Sequence, residues 1–158
     1  MRRILIPVDS STPEETILRT VMARCRDGAT EAIHLLNVQA PLTAYVTQFV
    51  SRASVADFQR EQGEKAMSGL RRRFDTAGIP YAAHFCVGDV AATVGEAAQA
   101  LRASEILMGL EQAGWWDSLT TWLQVNRIRR YATVPVVIVV APPPEIVPAF
   151  GLGTSTTR

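Results

Sequence analysis

Two short stretches of the chain carry residue types that often hold small molecules. The first is Asp9, which directly follows the apolar run 3–8. The second is a glycine-bearing loop after the apolar run 106–108, with Gly109 at its start and Gly114 further along. Ligands of open α/β sheets bind at the carboxyl ends of the strands. We therefore expect both stretches to lie at the ligand-binding edge of a sheet.

Apolar periodicity predicts the elements that position these residues. Strands are predicted over 3–8, 32–38, 80–87, 106–108 and 134–140, and helices over 13–26, 54–76, 90–101 and 118–132. Their alternation predicts an α/β fold with one five-stranded parallel sheet and helices on both faces. The third strand alternates apolar and polar residues, which favours an edge position. Thr12 is predicted to cap the first helix, and Gly63 to weaken the second locally by about 1 kcal/mol.

The totals of the chain indicate a single domain. A length of 158 residues, 47% of them hydrophobic and 20% charged, is ordinary for a globular domain. We predict a domain over 2–141 and a C-terminal tail over 142–158 that is partly disordered. A formal net charge of +1 gives no broad field for nucleic acid or membranes. The sequence shows no signal peptide and no membrane-length apolar run, so we expect a cytoplasmic protein.

No group of residues is arranged for catalysis or for metal binding. The two histidines, His34 and His84, lie on different predicted strands, and only Cys86 stands near either of them in sequence. We interpret both as structural histidines with satisfied hydrogen bonds. Nucleophile elbows, zinc-protease motifs and the Walker lysine are all missing. We therefore expect no metal and no enzymatic activity.

Three runs in order resemble one known family. They are Val8-Asp9 with the two serines that follow, the run from Gly88 to Met108, and the stretch from Gly109 to Val139. Together they cover about residues 2–141 and are similar to a universal stress protein domain. The resemblance implies a three-layer, Rossmann-like sandwich of the adenine nucleotide α-hydrolase type, with strand order 3-2-1-4-5. It also implies a role in the stress response.

The resemblance also implies a nucleotide site. In nucleotide-binding members, the residue matching Asp9 lies against adenine and ribose, and the backbone at the position of Val38 pairs with the adenine edge. Asp9 has an alternative interpretation of about equal weight, as a carboxylate that caps the helix beginning near Thr12. Gly109 matches the first glycine of the family's phosphate loop, G-x-x-G, nine residues, then G-[ST].

The rest of that phosphate loop departs from the family pattern. Its second and third glycines fall on Gln112 and Trp122, and its serine falls on Leu123. A further glycine of the nine-residue spacer falls on Trp115, with Gly114 one position away. A phosphate cradle needs backbone N–H groups without side chains in the way. We therefore expect no ATP binding and no other cofactor, while AMP or adenosine could still bind at Asp9, Val38, Gly109 and Gly114.

Two surfaces are predicted to bind partners. The last strand is apolar throughout and lies at an edge in the implied topology. Family members pair this strand with its copy in a second subunit, so we expect a homodimer. The residues predicted to form the dimer interface are Val136, Val137, Ile138, Val139 and Val140. Elsewhere, Trp115 and Trp116 either cover the domain's own cleft or bind an unidentified protein or apolar ligand.

We thus predict a dimeric binding or regulatory module in the stress response. The alternatives are an AMP- or adenosine-binding protein with a degenerate phosphate site and, from a different class, an adenine-nucleotide hydrolase.

Overall fold

A computed structural model describes residues 2–43, 48, 51–110 and 115–142, with residues 31 and 115–122 described in their backbone only. Gln112, Gly114, the side chains of the three tryptophans and the tail beyond Pro142 thus lie outside the described residues. The elements in chain order are β1 (Arg2–Pro7), α1 (Glu14–Arg26), β2 (Thr30–Gln39), α2 (Arg52–Thr76), β3 (Ala82–Val87), α3 (Val90–Ala100), β4 (Glu105–Leu110), α4 (Trp115–Tyr131) and β5 (Val136–Val140).

All five strands form one parallel sheet in the order β3-β2-β1-β4-β5. This arrangement confirms both the predicted α/β fold and the implied strand order. β3 lies at one edge, as its alternating pattern predicted, and β5 lies at the other. The three inner strands are apolar on both faces because helices cover both sides of the sheet.

The helices divide the core into two layers. α1 and α2 cover one face of the sheet, and α3 and α4 cover the other. Along β1, alternate residues serve the two layers, with Ile4 and Ile6 on the α1 and α2 side and Leu5 on the α3 and α4 side. Each of these three side chains is fully buried. Among the described residues, no helix combines the length and the apolar character needed to cross a bilayer.

The edge strand β5 also sends its side chains into both layers of the core. Val137 and Val139 pack against the cluster beneath α1 and α2, while Val136 packs against the cluster beneath α3 and α4. Only Val140 is exposed, and the other four residues of the strand are half-buried. The side chain of Val137 belongs to the core of its own domain, so the predicted dimer interface would use its backbone. Side chains stand perpendicular to a sheet, so the open edge of β5 presents mainly backbone groups.

Two element boundaries differ from prediction and shorten the loop after β4. β4 continues through Gly109 to Leu110, and α4 begins at Trp115, three residues before the predicted start at Ser118. The predicted cap of α1 was also wrong. That helix begins at Glu14 with Pro13 at its N-cap and no side-chain cap, because the hydroxyl of Thr12 bonds to the backbone of Asp9 instead.

Gly63 has a packing reason to stand inside α2. A Cβ atom at this position would lie 2.6 Å from Cδ2 of Phe85 on β3 and 2.9 Å from Oδ1 of Asn37 on β2. Glycine therefore lets the helix approach the edge of the sheet closely. This contact offsets the local weakness that the sequence predicted for the helix.

Candidate functional site

A cavity of about 270 Å³ opens at the carboxyl ends of β1, β2 and β4. Its lining comes from the ends of those strands, the turn after β1 and inward positions of α3 and α4. The lining residues are Pro7, Val8, Asp9, Ser11, Thr12, Leu36, Val38, Val90, Val94, Met108, Gly109, Leu110, Gln124 and Ile128. The cavity lies beside the boundary between β1 and β4, where the crossover helices change from one face of the sheet to the other, as is typical of α/β ligand sites.

Three of the four nucleotide-site residues proposed from the sequence meet in this cavity. Asp9, Val38 and Gly109 all line it, although about thirty and seventy residues separate them along the chain. Gly114, the fourth, lies outside the described residues.

Asp9 closes the turn between β1 and α1 through a local hydrogen-bond network. Its Oδ1 atom accepts hydrogen bonds from the backbone N–H of Ser11 at 2.8 Å, from Ser11 Oγ at 2.7 Å and from Thr12 Oγ1 at 3.3 Å. The helix-capping interpretation of Asp9 was therefore wrong, since α1 has no side-chain cap. Among the described residues, no hydrogen bond engages Oδ2, so this oxygen can accept hydrogen bonds from a ligand.

Val38 contributes its backbone at the end of β2. β1 pairs with β2 as far as Pro7 and Leu36, and the last bond between them runs from the N–H of Val8 to the carbonyl of Leu36. Backbone groups two residues apart in a strand point to the same side. The N–H and C=O of Val38 therefore point past the end of β1, towards the cavity, while its side chain packs in the layer beneath α3.

Gly109 lets α1 pack closely against β4. A Cβ atom there would lie 2.7 Å from Cγ and 2.8 Å from Cδ of Pro13, and 3.0 Å from Cγ1 of Ile17. A side chain at this position would push α1 away from β4. The glycine thus has a structural role that does not depend on a bound phosphate.

An ion pair joins the two helices that wall the cavity. Asp89 caps α3 by accepting the N–H of Ala92 at 3.0 Å, and it also accepts a hydrogen bond from Arg127 Nη2 of α4 at 2.7 Å. The Ala92 N–H first, and Arg127 second, lower the pKa of Asp89 below its usual value. The side chain of Arg127 thus bonds to the neighbouring helix α3.

Several lining residues could not have been found by sequence reasoning. Ser11 and Thr12 follow Asp9 directly, which is a weak signal, but Val90, Val94 and Gln124 come from helices that gave no ligand signal. Of the described residues that line the cavity, Asp9 is the only charged one, and none is lysine or arginine. An anionic group in this cavity would therefore meet a carboxylate and no cation on the wall that the structure describes.

The two histidines lie away from the cavity and contact each other. His34 Nδ1 of β2 and His84 Nε2 of β3 are 3.0 Å apart, a hydrogen-bond distance. Burial first, then the nearby His84 and Arg3, lower the pKa of His34. The described part of the chain holds no group of three or more His, Cys, Asp or Glu residues that could bind a metal.

Comparisons with known proteins agree with this architecture. A model of the universal stress protein family matches residues 1–140. A universal stress family protein from Burkholderia pseudomallei is 23% identical with a TM-score of 0.64, over 88% of this chain and 96% of that one. One from Arabidopsis thaliana with AMP bound is 14% identical with a TM-score of 0.63, over 90% and 94%.

A universal stress protein in complex with cAMP is 16% identical with a TM-score of 0.59, over 87% and 96% of the two chains. At these identities the structural likeness shows the fold alone. No curated protein sequence matches the chain.

Proposed function

We infer the function from one premise, that the chain belongs to the universal stress protein family. We propose that it is a dimeric binding and regulatory module of the stress response. Its cavity would hold the adenosine part of a nucleotide, as adenosine or AMP, and not the triphosphate of ATP. The proposal is for reversible binding without turnover.

The meeting of Asp9, Val38 and Gly109 in one cavity is the observation that carries this proposal. The free Oδ2 of Asp9 is suited to accept hydrogen bonds from ribose hydroxyls, and the backbone of Val38 offers one donor and one acceptor to a base edge. The cavity volume of about 270 Å³ lies just below the range of roughly 300–1,000 Å³ typical of small-molecule pockets. Related structures that contain AMP and cAMP support the same ligand class.

The charge of the lining argues against a triphosphate. Burying phosphate charge without paired cations or donors costs several kcal/mol. The carboxylate of Asp9, which repels phosphate, is the only charge on the lining residues that the structure describes. A nucleoside carries no charge and avoids this penalty.

Calorimetry with adenosine tests the ligand part of the proposal. We expect measurable binding by the wild type and a loss of about tenfold or more in affinity on Asp9→Ala, since a carboxylate hydrogen bond contributes roughly 1.5–3 kcal/mol. Asp57→Asn is the matched control, because Asp57 lies exposed on α2 away from the cavity. A wild type that binds no adenosine, or that releases phosphate from ATP, would contradict the proposal.

The open edge of β5 supports the proposed dimer. In the described residues β5 pairs only with β4, and Val140 at its end is 54% exposed. An apolar strand with a free edge invites pairing with another chain. Antiparallel pairing with β5 of a second copy would satisfy the backbone groups of that edge and give a two-fold symmetric dimer. In such a dimer Val137 would contribute its backbone, since its side chain packs in the core.

Light scattering of edge variants tests the dimer. We expect wild type to be dimeric at tens of micromolar and Ile138→Lys to be monomeric, because lysine on an edge strand disfavours pairing. Val87→Lys is the matched control on the opposite edge strand, where the exposed fraction of the side chain is 47%. A monomeric wild type, or dissociation by the Val87 change alone, would rule out β5 as the interface.

A further inference from the structure

Two histidine side chains join the edge strand β3 to its neighbour β2. In the ladder between these strands His34 lies opposite Ala82 and His84 lies opposite Leu36, so the two histidines are diagonal neighbours. His34 Nδ1 and His84 Nε2 are 3.0 Å apart, and the ring centroids are 5.2 Å apart. Among the described residues, this contact is the only hydrogen bond between a side chain of β2 and a side chain of β3.

β3 has few other contacts that hold it on the sheet. It is an edge strand, and none of its six residues is fully buried. On the face covered by α2, Phe85 packs closely against Gly63. On the opposite face, Cys86 packs against the core beneath α3 and α4, and His84 contacts β2. A strand with so little buried surface opens more easily than the centre of a sheet, so the histidine contact matters for its attachment.

The contact between the two rings can accept one additional proton but not two. When both rings are neutral, the N–H of one ring donates to the unprotonated nitrogen of the other. A single imidazolium can still donate to a neutral partner. When both rings are protonated, every ring nitrogen carries a hydrogen, so no acceptor remains and two positive charges lie side by side. The second proton therefore removes the hydrogen bond and adds a repulsion between the strands.

The surroundings of the pair also oppose a second positive charge. Burial first, then the neighbouring His84 and Arg3 of β1, lower the pKa of His34. α3 faces this part of the sheet with aliphatic residues, and its only charged residue, Glu96, is exposed. No carboxylate among the described side chains lies within ion-pair distance of either ring. The side chain of Glu31, also on β2, is not among those described.

We infer that the contact between His34 and His84 is a pH-sensitive switch that lets β3 open locally when both rings are protonated. This inference does not depend on the proposed ligand or on the proposed dimer. Opening would uncover the outer backbone edge of β2 and the half-buried side chain of Cys86. In the open strand His34 is solvated and regains its usual pKa of about 6.5, so a fall in pH below that value favours opening.

Hydrogen exchange measured by mass spectrometry tests this inference at pH about 7.5 and 5.0, with rates corrected for the intrinsic effect of pH. The central strand β1 is the internal reference, because its amides report the opening of the whole sheet. From the higher to the lower pH, we expect the protection of β3 relative to β1 to fall about threefold, the scale of a repulsive cross-strand pair.

Three variants show whether the histidines cause this change. His34→Gln and His84→Gln each keep a side chain that forms hydrogen bonds but does not titrate, so the ratio of protection should no longer depend on pH. Glu96→Gln is the matched control, because it removes the titratable group of α3 and leaves both histidines in place. It should keep the wild-type response.

The outcomes that would overturn the inference are distinct. One is a wild-type ratio that stays equal at both pH values. Another is a loss of protection that β1 shares equally, because the whole sheet would then open and not β3 alone. The third is a wild-type response in either glutamine variant whose thermal unfolding remains cooperative. If only one of the two variants folds, that variant decides the result.

Discussion

The polar side chains at the two ends of the parallel sheet differ in whether they have hydrogen-bond partners within the protein. At the carboxyl end, Asp9 lines a cavity, and its Oδ2 atom has no hydrogen-bond partner among the described residues. At the amino end, Arg24 of α1 forms an ion pair with Glu105 of β4, and Ser104 Oγ donates to the carbonyl of Arg3 at 3.1 Å. One end thus offers hydrogen bonds to a ligand, while the other uses them to hold the fold.

The topology gives a physical reason for this difference. The chain leaves β1 towards α1 on one face of the sheet and leaves β4 towards α4 on the other face. A crevice therefore opens between the two strands at their carboxyl ends. At the amino end no such divergence occurs, and the Arg24 and Glu105 side chains, 18% and 12% exposed, fill the space between α1 and β4.

Breaking the ion pair at the amino end should have the largest effect on stability. Glu105→Gln leaves the charge of Arg24 largely buried without its partner. Removing one partner of a fully buried pair costs about 3–5 kcal/mol, and partial exposure lowers our expectation to about 2 kcal/mol. Urea unfolding measures this loss, while adenosine affinity should stay unchanged because the site lies at the other end.

An exposed ion pair supplies the control for that experiment. Glu15 contacts Arg19 and Arg73 with its side chain 50% exposed, so Glu15→Gln should cost less than about 1 kcal/mol. The double change Glu105→Leu with Arg24→Met should recover most of the loss. Equal effects of Glu105→Gln and Glu15→Gln would show that the two ends do not differ in this way.

A methyl group at Gly109 should test whether this glycine serves packing. Gly109→Ala places a Cβ atom 2.7 Å from Cγ of Pro13, and overpacking of this kind costs about 1–3 kcal/mol. Pro13→Ala in the same chain removes the ring atoms and should restore part of the stability. Gly69→Ala is the control, since its methyl group meets only the carboxylate end of Glu14, which can move.

Full stability of Gly109→Ala in thermal unfolding would mean that the close approach of α1 to β4 is not needed. Recovery by Pro13→Ala separates this packing role from any general intolerance of the strand to alanine.

The histidine pair should give a smaller, pH-dependent effect. The pKa of His34 is lowered by burial, then by His84 and Arg3, so the unfolded chain binds its proton at a higher pH than the folded chain. Stability should therefore fall as the pH falls below the usual histidine pKa of about 6.5. α3 covers this face of the sheet, and its only titratable residue is Glu96, which is exposed.

His34→Gln should flatten this slope in urea unfolding curves between pH about 7.5 and 5.5. The chain contains only two histidines, so few other groups titrate in that window. A slope that is unchanged in the variant would show that the contact between His34 and His84 does not oppose protonation.

The sequence predicted the fold well because the signals for the fold are local and periodic. Alternation in β3 indicated its edge position, and the uniformly apolar β1 indicated a central strand. Contacts between distant residues carry no such signal, so the pairing of His34 with His84 and the bond from Arg127 to Asp89 could not be predicted. The same limit explains the site, where Asp9 came from a known pattern and the lining residues of α3 and α4 gave no ligand signal.

The last strand, β5, shows the same limit of sequence-based prediction. Its uniformly apolar sequence predicts a strand that pairs with a second copy, and that prediction stays untested. In the structure Val137 and Val139 pack under α1 and α2, and Val136 packs under the opposite helices. In sequence, an apolar edge strand that helices cover on both faces has the same pattern as an apolar strand that pairs with a second subunit. Only the placement of the helices distinguishes the two.

The phosphates of ATP should not improve the affinity of the cavity for the nucleoside. In the described part of the cavity lining, no lysine or arginine accompanies Asp9, and Gly109 packs closely against Pro13. The sequence places Gln112 and Trp122 where the family has its next phosphate-loop glycines, so free backbone donors for an anion are not expected there. We predict that ATP binds at millimolar strength or not at all, and no better than adenosine.

Restoring the glycines and the serine of the family pattern should give the protein a preference for ATP over adenosine, which we expect the wild type to lack. A variant with glycine at Gln112, Trp115 and Trp122 and serine at Leu123 should bind ATP more tightly than adenosine. The glycines destabilise the first turns of α4, which begins at Trp115, and a later helix start would free unobstructed backbone N–H groups for phosphate. Calorimetry with both ligands, on protein whose thermal unfolding remains cooperative, measures the ratio of the two affinities. Micromolar ATP binding by the wild type, lost on Asp9→Ala, would instead show that the carboxyl end of the sheet holds phosphate without the glycines.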